Sequence, residues 1–267
     1  MKNYKSLILS LALVGAILTG CNNQDQADTE KTETQTEEAA PAENTEAPAT
    51  EEDAATEEDA ATEEDTANEE NAEAEESADE VKGVSKENNI VVDKENKTVT
   101  IYATFNGKFL TESTRHLVVS ETGKFGDKPV FISQTPPADF HQALLDIGAE
   151  PGDNMTPENA EETTSEGTPL DITVYWNGNE DGKNVNEIVK DSNGKDLDIR
   201  FTGNIDRSNE MKTGCLSCLD SCTVGISSNA NYPLGSVEKT KTVEFSIDEA
   251  NAPEEGTPVA LVYTIKG

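Results

Sequence analysis

The chain has 267 residues with 54 acidic and 20 basic side chains, and its formal net charge of -34 excludes nucleic-acid binding through a basic face. With 34% hydrophobic and 5% aromatic residues it is too polar, on average, for a globule of this length, but the polarity is not spread evenly. Residues 1–24 hold two lysines and no acid, 25–80 hold 24 acids and one lysine, and 81–267 hold 30 acids and 17 bases. All 7 Phe, the single Trp and 3 of the 4 Cys fall in the last 187 residues, so this is the segment able to bury a core and carry chemistry.

The N-terminus reads as an export signal at 1–20. Lys2 and Lys5 are followed by an apolar run from Leu7 to Leu18, too short to span a membrane as a helix. It ends in Leu18-Thr19-Gly20-Cys21, which resembles a bacterial lipobox: small residues give a peptidase access to the backbone, and the Cys21 thiol takes the lipid. The expected location is the extracytoplasmic face of the cell membrane, with the lipid as the membrane partner. No twin arginine precedes the apolar run, which favours export of an unfolded chain.

From 21 to 81 the chain is a tether rich in Glu, Ala and Thr, with TEEDAA at 50–55 and 56–61 and TEEDTA at 62–67. Low hydrophobicity and one sign of charge leave too little burial to offset chain entropy, so a disordered acidic linker is expected. About 60 flexible residues span roughly 45 Å on average.

In the domain at 82–267 the apolar residues recur in short stretches bounded by Gly, Asn, Asp and Pro. This pattern predicts strands at 90–92, 98–105, 116–120, 129–133, 170–176, 197–201, 242–247 and 259–265. In Val99, Ile101, Ala103 and Phe105, and again in Val259, Leu261, Tyr263 and Ile265, every second residue is apolar or aromatic, placing one face on a core and one toward water. Asn106-Gly107 and Asp191-Ser-Asn-Gly194 are turn signals. Pro137 at a first helical position, Phe140, Ala143, Leu144 and Ile147 at helical spacing, and Gly148 as a stop predict one helix. A shorter one is expected over 186–190. The predicted fold is α+β, mainly β, with helices packed on one side of a largely antiparallel sheet.

The chemistry concentrates in Cys215-Leu-Ser-Cys218-Leu-Asp-Ser-Cys222, a C-x2-C-x3-C run with the domain's only thiols. On a helix these positions share a face, and in a loop they wrap one centre. The spacing matches the last three cysteines of a bacterial ferredoxin run, but the first is absent and Thr223 stands where Pro follows the last.

Four segments, Thr114-Arg115-His116, 143–155, 167–176, and 212–222 with 225–230, resemble the YdjY-type domain family over residues 90 to 265. That family carries a 4Fe-4S ferredoxin-like description. The resemblance implies an electron-transfer or metal-binding protein rather than an enzyme, acting with a protein partner. Three readings of the thiols remain open. Cys215, Cys218 and Cys222 could ligate an iron-sulfur cluster or a single Zn or Cu, with His116, His141, Asp220 or an exogenous group in the fourth place. They could form a C-x2-C disulfide with Cys222 as the attacking thiol. They could be structural, in a solute-binding or interaction lipoprotein with no cofactor. His116 is the preferred fourth ligand because it lies in the shared motif. Arg115 is expected to pair with a carboxylate, and Tyr175 and Trp176 to serve the core or its rim. The chain has no EF-hand loop, nucleophile elbow, H-E-x-x-H or phosphate loop.

Overall fold

The computed structural model describes residues 79–267. The export signal, Cys21 and the tether up to residue 78 lie outside the described residues. In chain order the elements are β1 (Ile90–Asp93), β2 (Thr98–Phe105), a 3-10 turn (Gly107–Leu110), β3 (His116–Ser120), β4 (Phe131–Ser133) and α1 (Pro137–Asp146). There follow β5 (Pro169–Trp176), β6 (Asn179–Asn184), α2 (Val185–Ile188), β7 (Val189–Asp191), β8 (Ile199–Phe201), α3 (Ile205–Met211), β9 (Cys215–Cys218), β10 (Ser227–Asn229), β11 (Phe245–Ile247) and β12 (Pro258–Ile265).

The expected sheet with helices on one side is not what forms. Strands β2, β12, β5, β8, β10, β9, β3 and β4 pair in that order, and β4 pairs back onto β2, so eight strands close a barrel. The fold is mainly β with few helices, and the α+β expectation is corrected accordingly. Closure depends on β2, whose Thr98–Ile101 half pairs with β1 while Ala103–Phe105 pairs with β4. Its other edge pairs with β12 along almost its whole length. The circuit also needs two parallel joins, β3 with β4 and β9 with β10, amid antiparallel neighbours. The α-helices span 10, 4 and 7 residues, too little to cover the face of an open sheet. Closing the sheet removes the edges that helices would otherwise have to protect. Among the described residues no helix is long and apolar enough to cross a membrane.

The alternation in β2 and β12 does what the pattern predicts. Val99, Ile101, Ala103, Phe105, Val259, Leu261 and Tyr263 all enter one buried cluster, each Val or Leu contributing about 1.5–3 kcal/mol of transfer free energy. The opposite face does not meet water throughout as expected: Tyr102 and Ala260 are buried there under Val81 and Val84, which form a bridge of their own. Helix α1 starts at Pro137 as expected and stops before Gly148, whose φ of +86° suits a residue without a Cβ. Its Phe140 ring packs edge-on against Tyr263 at 4.8 Å. The second expected helix shrinks to α2, held by an Asn184–Glu187 capping box, before the chain turns extended. Asn106-Gly107 opens the 3-10 turn, with Asn106 accepting from the Lys108 N–H, whereas Asp191–Gly194 is a tight turn as predicted.

Strands β9 and β10 carry few apolar residues, yet every residue in them is buried. Hydroxyl pairs satisfy this polar interior. Ser217 Oγ lies 2.6 Å from Ser227 Oγ and 2.9 Å from the Tyr263 hydroxyl, and Ser228 Oγ lies 2.6 Å from Ser165 Oγ and 2.8 Å from Thr202 Oγ1. Each such bond nets about 1 kcal/mol, but leaving a partner unpaired costs more.

Candidate metal centre

The thiol run does not form a helix. Cys215 and Cys218 are the two ends of strand β9, and Cys222 lies in the loop that follows. On a regular strand residues three apart face opposite sides. Here the β3–β9 ladder shifts register between His116–Cys218, Val118–Ser217 and Val119–Cys215, and this irregularity brings both sulfurs into one cluster with Cys222 and Val119. The approach to β9 is tight. Gly214 has a φ of +81°, and a Cβ there would lie 2.7 Å from the Gly123 Cα. The loop after β9 is pinned by Leu219 N–H to the Arg115 carbonyl at 2.8 Å and by Asn204 Nδ2 to the Cys222 carbonyl at 2.7 Å.

His116 comes from the first residue of β3, directly opposite Cys218. Its Nδ1 lies 3.7 Å from Cys215 Sγ, and its ring packs on Phe125 at 5.1 Å between centroids. One ring nitrogen of His116 and the sulfurs of Cys215 and Cys218 all lie within 4.8 Å of one another, so these residues could bind a metal ion. All three are buried, and Cys222 is only 2% exposed. All three cysteines are free thiols.

The Cys218 thiol sits between its neighbours and hydrogen-bonds with both. These contacts, together with burial, push its pKa well above the usual thiol range. Conversely, the hydrogen bond from Cys218 draws Cys215 well below that range against burial, with His116 adding to the effect. Cys222 is lowered by the same donor, also against burial, and by the charge of Arg115. Two thiolates beside an imidazole form a soft donor set suited to Zn, Cu(I) or thiolate-bound iron.

Asp220 is not part of the cluster. It is fully buried and accepts from Arg115 Nε at 3.0 Å and Nη2 at 2.6 Å, while its other oxygen accepts from the Gly235 N–H at 3.0 Å. Burial raises the Asp220 pKa, with Arg115 and Gly235 opposing. Burial also works against the Arg115 charge, but Cys222, Asp220 and Cys218 outweigh it and hold the guanidinium protonated. The expected pairing of Arg115 with a carboxylate is thus found. His141 lies elsewhere, on α1 with its ring 5.2 Å from Phe201. Sequence reasoning missed Phe125, Val224 and Asn204, which enclose the cluster or anchor its loop. It also missed Gly225, where a Cβ would lie 3.1 Å from Cys218 Sγ. The close spacing of Gly225 to the thiols was the available signal.

With this geometry in hand, comparison with known proteins locates the domain. The model of the YdjY domain matches residues 90–264. Protein YdjY of Escherichia coli (strain K12), itself described as uncharacterized, is 44% identical over 186 residues, covering 70% of this chain and 83% of the relative. No solved structure matches.

Proposed function

The chain belongs to the YdjY domain family, and from that premise we propose that it is a membrane-anchored, extracytoplasmic protein that holds one thiophilic metal ion. His116, Cys215 and Cys218 supply three ligands, and Cys222, outside that 4.8 Å group but in contact with Cys218, is the further thiol at hand for the fourth place. Its role is binding and transfer, of the ion or of an electron through it, with a protein partner. The observation that carries this reading is the convergence of an imidazole nitrogen and two sulfurs within 4.8 Å in a buried pocket. Two thiolates about 2.3 Å from one tetrahedral ion lie roughly 3.8 Å apart, which this spacing accommodates. The ligands of a 4Fe-4S cube sit on different irons and lie farther apart, so the spacing favours a single Zn or Cu over the cube. A single ion also needs no cluster assembly after export. The anchor rests on Lys2, Lys5, the apolar run to Leu18 and Cys21.

The test is metal and acid-labile sulfide content of the protein isolated anaerobically from membranes. About one Zn or Cu per chain, lost in Cys215→Ser and Cys218→Ser variants that remain folded, is the expected result. Iron and sulfide near four each would replace the single ion by a cube. A metal-free protein with a Cys215–Cys218 or Cys218–Cys222 disulfide would move the site to thiol exchange, which the contacts of Cys218 with both neighbours favour as the second reading. Loss of membrane association in Cys21→Ser tests the anchor separately.

A further inference from the structure

His116 and Arg115 are also walls of a cavity of about 340 Å³, within the range of small-molecule sites. The wall built from the 3-10 turn, the start of β3 and the segment before β4 presents Lys108, Arg115 and Lys128. The segment 237–244 contributes Glu238, Lys241 and Glu244. Lys108 also lies 3.7 Å from Glu112 in an exposed pair that contributes little, Arg115 is paired with Asp220, and Lys241 adds a fourth cation from the facing segment. Arg115 is held rigidly by Asp220, and Asp220 also takes the Gly235 N–H, which fixes the base of the segment that forms the second wall. Lys128 lies over the Phe125 ring at 5.1 Å, and Phe125 in turn packs on His116. The cavity and the thiol cluster therefore share His116, Arg115 and their supports.

We propose that this cavity is a binding site for a small ligand with a single anionic group, a carboxylate or a phosphate, seated on Lys108, Arg115 and Lys128 next to His116. Glu238 and Glu244 disfavour a second anionic end and leave the other end of the ligand neutral or cationic. The site places an anion beside the imidazole that also faces the thiols, so occupancy of the cavity is felt at the cluster. The proposal goes beyond the metal reading and holds whether or not the thiols carry an ion.

The experiment is isothermal titration calorimetry of the purified whole chain at constant ionic strength, with inorganic phosphate and acetate as the probes exchanged for chloride. Saturable one-to-one binding of at least one probe, with a dissociation constant on the order of 1 mM or tighter, is expected, and the probe that binds names the anionic group. Lys108→Gln with Lys128→Gln should weaken it by at least about tenfold. Lys94→Gln with Lys266→Gln removes the same charge at exposed pairs with Asp146 and Asp171, outside the cavity, and should leave binding within about twofold. Heats that do not saturate with either probe overturn the site, and so does equal loss in both lysine pairs, which would mark general screening. Metal content measured on the same samples reports on the thiol reading independently.

Discussion

The Arg115 guanidinium grips one oxygen of the buried Asp220 carboxylate through Nε and Nη2, joining the residue before His116 to the loop between Cys218 and Cys222. Asp220 is fully buried and the Arg115 side chain keeps only 14% exposure, so removing the arginine strands a buried carboxylate. The pair fixes the relative position of β3 and the thiol loop, and through Gly235 it also fixes the segment that walls the cavity.

Removing one partner of this pair should therefore be costly. Arg115→Met or Asp220→Leu alone is expected to destabilise the domain by about 3–5 kcal/mol in urea denaturation. The double variant should be less destabilised than the sum of the two, because no charge is then stranded. Additive losses would mean that the two residues act independently.

Gly225 offers a way to disturb the cluster without cutting out a ligand. A methyl there meets Cys218 Sγ at 3.1 Å, the Cys222 Cβ at 3.4 Å and the Ser227 carbonyl at 2.9 Å. Gly225→Ala should lower Zn or Cu affinity by roughly tenfold or more, at a cost of about 1–3 kcal/mol in stability from overpacking. Competition with a chelator reads the first and thermal melting the second. Unchanged affinity would show that the middle sulfur is not held by this backbone.

The Ser217–Tyr263–Ser227 hydroxyl group links β9, β12 and β10 inside the barrel. Burial raises the Tyr263 pKa, and the hydroxyl stays protonated as a donor or acceptor throughout the useful pH range. Tyr263→Phe should cost about 1 kcal/mol, since Ser217 keeps its bond to Ser227. Ser217→Ala should cost about 1–3 kcal/mol because it strands the Tyr263 hydroxyl. Chemical denaturation of both variants checks this order.

His141 gives a pH dependence separate from the thiols. Burial lowers its pKa below the ordinary value of about 6.5, with Asp153 and Asp206 opposing in part. The unfolded chain therefore binds a proton more readily than the folded one between the two pKa values. This contribution to stability is complete above about pH 6.5 and is lost as pH falls toward the folded-state pKa. Melting temperatures at pH 7.5 and 5.5 should differ less in His141→Gln than in the parent chain. An identical difference would assign the slope to other groups.

Local pattern decided much of this protein. The alternation in β2 and β12, the Pro137 start and Gly148 stop of α1, the cluster of thiols and the YdjY family were all legible from neighbouring residues, because each depends on spacing along the chain. The sequence also carried the expectation of a lipid-anchored leader and an acidic tether. It did not convey barrel closure. That depends on β2 changing partners from β1 to β4 and on β9 and β10, whose buried Ser and Cys give no apolar alternation and whose polar groups are satisfied across strands, by side chains and by backbone carbonyls. The three thiols and His116 were named together, His116 on the family resemblance, but spacing along the chain did not separate it from His141 or Asp220. The register shift between β3 and β9 turns Cys215 and Cys218 to one side and sets His116 beside them, whereas Asp220, equally plausible as a ligand by spacing, is claimed by Arg115. Strand pairing and buried charge compensation act between residues about a hundred positions apart, as the Arg115–Asp220 separation of 105 shows, and only the folded chain brings them together.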